Sequence, residues 1–187
     1  MSGRETEISS DELAIWAAER GIKRTLNAYC FCLDFNDVEG LVDVFTPEGE
    51  WHTSTGLVMR GHDQIRRWLV EDRNPKNVLT TEPDQGRVMG MHFRANVDIT
   101  VNGDDATVVS YLLQTFPSGG RVEIEATGRY VDTMARCEDG KWRFVAHRTL
   151  LEAVHVDQHH ELTRRPEFAA LRKASYPVAL LDTLATS

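Results

Sequence analysis

Three side chains that can transfer protons stand at positions that a curved fold could bring together: Tyr29, Asp34 and His92. Tyr29 and Asp34 lie near the end of the first predicted helix, and His92 lies in a distant predicted strand. A carboxylate, an imidazole and a phenol in one cavity are the groups needed to move protons on a small organic molecule. Five residues separate Tyr29 from Asp34, an offset of about 140° on an ideal helix. Their convergence therefore requires a distorted helix end or a reaching side chain.

Each of these residues also has a purely structural interpretation. Asp34 could be a solvated turn residue at a helix C-terminus, where a negative charge is mildly unfavourable against the helix dipole. Tyr29 could belong to the core, and His92 could be a core histidine bonded to a backbone group. His92 alternates with Met91 and Phe93, so its side chain is expected on the opposite face of the strand from theirs. If His92 faces Asp34, the carboxylate orients the ring and favours the imidazolium.

Further aromatic and imidazole side chains are candidates for the walls of the same cavity. The predicted substrate-binding residues are Trp51, His52, Trp68, Phe93, Phe116 and Tyr130. His52 and Tyr130 are better explained by packing than by chemistry. The sequence predicts no cofactor, since no Gly-rich phosphate loop follows a strand and opens a helix. It also predicts no metal site, because the metal-like spacing of His155 and His159 lacks a carboxylate or cysteine partner.

The composition predicts a soluble protein whose residues 1–187 form a single domain. No apolar stretch approaches the roughly 20 residues that a membrane helix needs. The formal net charge of −8 argues against a nucleic-acid partner. Three cysteines are too few for a disulfide scaffold, and the polar N-terminus carries no secretory signal. These features predict free thiols and a cytoplasmic location.

The elements that must position the candidate groups begin with helices. Ser9 to Glu12 forms a capping-box pattern that opens a helix ending around Asp34. Asp37 is predicted to cap a second short helix, and a third is predicted over residues 62–71. A short strand is predicted over residues 50–54, followed by a turn-rich link to the third helix.

The second half of the chain alternates with the period of strands. Four long strands are predicted over residues 87–101, 106–116, 121–136 and 141–151, as an antiparallel meander. Helices followed by a meander predict an α+β fold. Because long strands twist and coil, we expect a strongly curved antiparallel sheet that wraps around the N-terminal helices as a cone-like α+β barrel. The open end of the cone is the expected ligand pocket.

Three further segments complete the prediction. Residues 1–8 are expected to be a flexible N-terminus. The polar stretch 72–86 has the length of a lid or binding loop. Residues 155–187 form a C-terminal extension that is predicted to be helical.

Several segments of the chain resemble the SnoaL-like group of the nuclear-transport-factor-like superfamily. They are Tyr29 to Thr46, Gly49 to Trp51, Gly61 to Ile65, Met91 to Ile99 and Asp139 to Phe144, and together they extend over about residues 11 to 151. The tyrosine, aspartate and histidine pattern is most similar to the scytalone dehydratase and bile-acid dehydratase branch. In that branch an Asp–His pair and a nearby tyrosine catalyse loss of water.

The resemblance implies a function and a set of roles. It implies a cofactor-independent lyase of the dehydratase type, or an isomerase, acting on a small hydrophobic polycyclic, steroid-like or polyketide-like molecule. His92 would take a proton beside a carbonyl, Asp34 would hold the imidazole, and Tyr29 would donate a proton; Asp34 as the base is a close variant. Leu33 stands where the scytalone enzyme has a tyrosine, which argues against that substrate.

Two alternatives remain open at the level of sequence. One is a non-catalytic module that stores or senses a ligand in the same pocket. The other is a small subunit like the β subunit of ring-hydroxylating oxygenases, which shares this fold. The resemblance also implies a homo-oligomer, a dimer or a trimer, formed through the exposed back of the sheet.

Overall fold

The structure, a computed structural model, describes residues 8–73, 90–118 and 121–154. Its helices are Ser10–Asp34 (α1), Val38–Asp43 (α2) and Gly61–Trp68 (α3), and a π-helical turn, Leu69–Arg73, follows α3. Its strands are Phe45–His52 (β1), Val58–Arg60 (β2), Met91–Asn102 (β3), Asp105–Ser118 (β4), Arg121–Arg136 (β5) and Trp142–Val154 (β6). They form one curved, unclosed sheet in the order β2-β1-β6-β5-β4-β3. The predicted α+β fold is confirmed.

Some predicted segments lie outside the described residues. They are most of the N-terminal segment 1–8, the polar stretch beyond Arg73, and the C-terminal extension with His155 and His159. In the part of the chain that the structure describes, no helix has the length and apolarity needed to span a membrane.

Helix α1 begins where the capping pattern predicts. The Ser9 hydroxyl accepts the backbone N–H of Glu12 at 3.2 Å, and the Glu12 carboxylate accepts the N–H of Ser9 at 2.8 Å. The second half of the helix buries its apolar face against the sheet through Ile22, Leu26 and Leu33. Burial of this half fixes the helix end that carries Asp34.

Gly21 lets α1 approach the sheet closely. A Cβ atom at Gly21 would lie 2.7 Å from Cδ1 of the buried Trp142 ring at the start of β6. One turn later, the Thr25 hydroxyl donates to the Trp142 carbonyl at 2.5 Å. These two contacts set both the depth and the rotation of the helix over β6.

The meander of β3 to β6 follows the predicted order, and two strands extend it. β1 pairs in parallel with β6, and β2 pairs antiparallel with β1. β1 begins at Phe45, which the sequence predicted as the end of the second short helix. The register of β1 against β6 shifts between Phe45 and Glu50, around Pro47. A proline cannot donate to the ladder, so it sits at this irregularity. β2 is only three residues long and lies in the predicted turn-rich link.

Irregularities in two strands change which side chains face the helix. The register of β3 against β4 shifts between Ala95 and Asp98, at Asn96, whose φ is +49°. The register of β5 against β6 shifts between Thr133 and Met134, and Val145 is the extra residue on β6. Each extra residue reverses the alternation of the strand beyond it. As a result Phe144 and His147 are both fully buried although they stand three positions apart, an odd step that would place them on opposite faces of a regular strand.

The Gly21 contact predicts that Gly21→Ala destabilises the protein. Alanine favours a helix interior over glycine by about 1 kcal/mol, but the added methyl group overlaps the Trp142 ring. Overpacking of this kind costs about 1–3 kcal/mol, so urea unfolding should show a net loss of stability. The control is Asn27→Ala at an exposed position of the same helix, which should be neutral or slightly stabilising. Equal effects of the two substitutions would contradict the close-packing argument.

Candidate active site

The structure brings Asp34 and His92 into direct contact. His92 Nδ1 lies 2.6 Å from Asp34 Oδ1, and the backbone N–H of His92 donates to the same carboxylate, 3.1 Å from Oδ2. The side chains are 7% and 14% exposed, so the pair is largely shielded from solvent without being sealed. Both N–H groups of one residue thus converge on one carboxylate, which fixes the plane of the imidazole.

The two residues meet because the last turn of α1 reaches the first residues of β3. α1 ends at Asp34, and Asn36 then reverses the chain with φ +57°. The Arg73 guanidinium donates to the Leu33 carbonyl and to the Asn36 side-chain oxygen, both at 3.0 Å. A cation at a helix C-terminus complements the helix dipole. Arg73 therefore offsets the unfavourable placement of the Asp34 carboxylate at that end.

Arg73 is a site residue that the sequence interpretation did not single out. Burial lowers the pKa of its guanidinium, and Tyr29 and Asp34 oppose that shift. The only signal in the sequence is a cation at the start of the predicted loop 72–86. Nothing in the local pattern indicates that it would return to the end of α1.

The contact defines which nitrogen of His92 is available for chemistry. A carboxylate only accepts hydrogen bonds, so His92 Nδ1 carries the proton in this contact. The lone pair of the neutral ring then lies on Nε2, which makes no hydrogen bond to any residue the structure describes. An imidazole oriented in this way by a carboxylate can accept a proton at Nε2 and share the resulting charge with Asp34.

Tyr29 lies deeper in the fold than the Asp34–His92 pair. It is fully buried, and its ring centroid lies 4.4 Å from that of His147, 5.7 Å from Trp51 and 5.9 Å from Tyr130. Burial raises the pKa of the Tyr29 hydroxyl far above its usual range. The structural interpretation, a core tyrosine, accounts for this position. A catalytic role for Tyr29 stays a prediction, and it is limited to hydrogen-bond donation by the neutral phenol because the phenolate is disfavoured.

A second, fully buried polar cluster lies under the curved sheet, and the sequence interpretation missed it. Arg94 Nη1 donates to Asp132 Oδ2 at 2.7 Å and to the Ser110 hydroxyl at 3.2 Å. His147 Nδ1 lies 2.6 Å from Asp132 Oδ1, and Thr149 Oγ1 lies 3.4 Å from His147 Nε2. We call Arg94, Ser110, Asp132 and His147 the interior network.

The interior network is electrically balanced. Burial disfavours the charged forms of Arg94 and Asp132, but their mutual attraction prevails, so the pKa of Arg94 is raised and that of Asp132 is lowered. Burial lowers the pKa of His147, although Asp132 opposes the shift. The network is therefore one ion pair with a neutral imidazole that donates to the carboxylate.

Aromatic rings enclose the Arg94 guanidinium. Its Cζ atom lies 4.1 Å from the ring centroid of Tyr130, 5.3 Å from that of Tyr29 and 5.7 Å from that of Phe144. Desolvated cation–π contacts of this kind add to the ion pair. At the depth of Arg94 the interior of the cone is thus filled with side chains.

The predicted wall residues separate into two groups. Trp51 and Trp68 lie on the inner side, in an edge-to-face contact with ring centroids 5.2 Å apart, and Tyr130 belongs to the packed interior. Phe93 is 45% exposed on the face of β3 opposite His92, so the structure does not bring it together with the Asp34–His92 pair, and its role in substrate binding stays a prediction. The Phe116 side chain lies outside the described residues.

His52 also points away from the expected pocket. It follows the buried Trp51 in β1, and its Nε2 lies 2.7 Å from Glu50 Oε2 on the other face of the strand. In the parallel ladder it stands opposite Arg148, whereas Trp51 stands opposite His147. Since successive side chains of a strand alternate between faces, the structure does not place His52 on the same face of β1 as Trp51, and its role in substrate binding stays a prediction.

No described group of three or more His, Cys, Asp and Glu side chains is arranged to hold a metal ion. A groove of about 590 Å³ lies among Tyr111, Thr127, Arg129 and Glu152 on the outer side of the sheet. Asp34 and His92 are not part of its lining.

Comparison with known proteins places the chain among proteins of related sequence and fold. A family model described as a SnoaL-like domain matches residues 15–148. A protein of unknown function from Mycobacterium tuberculosis has a TM-score of 0.64 at 23% identity, over 84% of this chain and 86% of that one. An NTF2-like protein with a cystatin-like fold from Novosphingobium aromaticivorans has a TM-score of 0.64 at 19% identity, over 87% and 100%.

A third similar structure, also from Novosphingobium aromaticivorans, is provisionally assigned as a scytalone dehydratase. Its TM-score is 0.60 at 21% identity, over 75% of this chain and 87% of that one. At these identities the likeness shows a shared fold, which serves dehydratases, isomerases and ring-hydroxylase subunits. No protein with curated annotation matches the chain significantly.

The balance of the interior network predicts how His147 titrates. Its folded-state pKa lies below the 6.5 of a free histidine, so between the two values only the unfolded chain binds the proton. This contribution to stability is present above pH 6.5 and is lost as the pH falls through the folded pKa. Imidazole ¹⁵N shifts should show His147 still neutral when an exposed histidine is half protonated. A titration midpoint at or above 6.5 would contradict the proposed balance.

Proposed function

Because the chain belongs to the SnoaL-like domain family, we propose that it is a cofactor-independent lyase of the dehydratase type, or an isomerase. Its substrate would be a small hydrophobic carbonyl compound with a polycyclic, steroid-like or polyketide-like skeleton. The observation that carries the proposal is the 2.6 Å contact between His92 Nδ1 and Asp34 Oδ1. The resemblance to the dehydratase branch supports it, since the matched positions are the ones in contact.

The proposed reaction begins with His92 as the base. Nε2 takes a proton from the carbon next to the substrate carbonyl, and the electron pair left behind forms an enolate. The imidazolium that results is stabilised by the Asp34 carboxylate, which already accepts its Nδ1–H and its backbone N–H. In dehydration, the bond from the β-carbon to its hydroxyl group breaks as the enolate re-forms the carbonyl. The hydroxyl leaves as water after taking a proton from the imidazolium, which restores neutral His92.

Isomerisation shares the first half of this reaction. When the substrate carries a double bond in place of the β-hydroxyl group, the imidazolium returns its proton to a different carbon. Asp34 as the base is the remaining variant, in which the carboxylate would take the proton while its oxygens already accept both N–H groups of His92. Tyr29 is retained as a proposed hydrogen-bond donor only.

The proposal predicts that Asp34→Asn and His92→Ala each lower activity by at least about 100-fold, the low end of general acid–base contributions. A panel of β-hydroxy ketones and β,γ-unsaturated ketones with fused-ring skeletons would be incubated with the protein in D₂O. NMR would follow deuterium uptake beside the carbonyl, which both reactions share, and ultraviolet absorption would follow formation of the enone.

The matched control is His62→Ala, which removes a half-buried imidazole bonded to the Phe45 carbonyl at 3.0 Å, away from the pair. It should leave deuterium uptake unchanged. Near-full activity of both Asp34→Asn and His92→Ala, with circular dichroism like that of the parent, would contradict the proposed acid–base mechanism. Ligand binding without any deuterium uptake would favour the non-catalytic module.

A second candidate function, a partner subunit like the β subunit of ring-hydroxylating oxygenases, is favoured by two observations. The interior is filled with side chains at the level of Arg94, and the outer face of the sheet exposes Met91, Phe93, Tyr111 and Ile124. An exposed apolar sheet face is suited to a protein contact. Co-purification with an iron-dependent partner, and no activity alone, would decide for this candidate.

Two coarser properties remain proposals of the same kind. A homodimer or homotrimer through the outer face of the sheet follows from the family, and sedimentation analysis measures it directly. The three cysteines, Cys30, Cys32 and Cys137, are free, which supports the proposed cytoplasmic location.

A further inference from the structure

The part of β3 that carries His92 has little apolar anchoring of its own. β3 is an edge strand that pairs only with β4 in the described sheet. Met91 and Phe93 each remain 45% exposed on its outer face, and the shift at Asn96 separates this part from the rest of the strand. Edge segments with few buried contacts open easily. Something other than apolar packing must therefore hold His92 against Asp34.

Arg94 supplies the missing anchor. It lies two residues after His92 on the same face of β3, and its side chain is 4% exposed. Its guanidinium donates to Ser110 on β4 and to Asp132 on β5, and it lies 3.3 Å from His147 on β6. Arg94 thus bonds the edge strand to the next two strands of the sheet, and its partner Asp132 accepts from His147 on the third.

Helix α1 and strand β3 face each other through two successive pairs of side chains. The first pair is Asp34 and His92, at the end of α1. The second pair is Cys30, one helical turn earlier, and Arg94. Burial together with Asp34 raises the pKa of the Cys30 thiol to about 11, while Arg94 opposes that shift.

We propose that Arg94 is a positioning residue, held by Asp132, that fixes the start of β3 so that both N–H groups of His92 point at Asp34. The catalytic consequence rests on the function proposed above, whereas the geometric claim does not. Replacement of Arg94 would free the edge strand, and the His92 ring and amide would lose their common acceptor.

The test must avoid leaving a buried charge alone, since breaking one partner of a buried ion pair is strongly destabilising. The double variant Arg94→Met with Asp132→Asn removes both charges at similar volume and leaves an amide oxygen to accept from His147 Nδ1. The control is Arg129→Met with Glu152→Gln, which neutralises the 2.7 Å interstrand ion pair between β5 and β6. Both variants are measured in the full-length chain.

Two readouts on His92 do not depend on activity. In the parent protein the ¹⁵N shifts of His92 should report a single Nδ1–H tautomer and a slowly exchanging amide. In the Arg94/Asp132 variant we expect a mixture of tautomers and amide exchange faster by at least about tenfold. The Arg129/Glu152 control should leave both unchanged. If a substrate is in hand, kcat should fall in the first variant more than KM rises.

The outcomes separate the two proposals. Unchanged tautomer and exchange of His92 in a folded Arg94/Asp132 variant overturn the positioning role, whatever the activity. Loss of the His92 signature in a protein that shows no deuterium uptake on any substrate supports the positioning role and counts against the proposed function. If the double variant fails to fold, Arg94→Lys decides, because lysine keeps the charge but cannot reach Ser110 and Asp132 with a fork. If His92 in Arg94→Lys keeps the tautomer and the amide exchange of the parent protein, the proposal is also overturned.

Discussion

The contact on which the candidate site depends is the one between the Asp34 carboxylate and the two N–H groups of His92. It joins the last residue of a long helix to the first residues of an edge strand, two elements separated by 58 positions in the chain. A bond of 2.6 Å tolerates only small displacements of either partner. Capping by Arg73 holds the helix end, and the curvature of the sheet brings the edge strand to it. The candidate chemistry is therefore a property of how two elements meet.

The interior beneath this contact differs from the expected apolar cavity. An aspartate and a neutral histidine lie fully buried there, and the side chain of an arginine is 4% exposed among aromatic rings. Such a network is costly unless its groups are paired, and removal of one member costs more than the pair contributes. Within the described residues, the one buried side-chain polar atom left without a hydrogen bond is Arg94 Nε. The network thus restricts the interior to one arrangement of the four strands β3 to β6, and the Asp34–His92 pair lies at the start of β3.

The sequence was sufficient for the order of the helices and of the four long strands and for the proximity of Asp34 and His92, but not for β2 or for the interior network. The capping box at Ser9 and the alternation of β5 are local patterns, and both were read correctly. The inward direction of His147 could not be predicted, because the extra residue Val145 reverses the alternation of β6. No residue type in the sequence marks this register shift. Arg94 shares the face of His92 by simple alternation, so its inward direction was predictable although its partners were not. Phe93 was assigned to the pocket against that same alternation.

The close approach of Gly21 to Trp142 has a consequence for how this chain can diverge. The approach fixes one point of α1 on the sheet, and Asp34 lies thirteen residues further along the same helix, a distance of about 20 Å. An insertion or deletion of one residue between them would turn the carboxylate by about 100° about the helix axis. Side chains on the outer surface of this segment are free to vary, whereas its length is not. Among descendants that keep the aspartate–histidine contact, the spacing of thirteen residues between the glycine and the aspartate should stay the same, whichever residues occupy the positions between them.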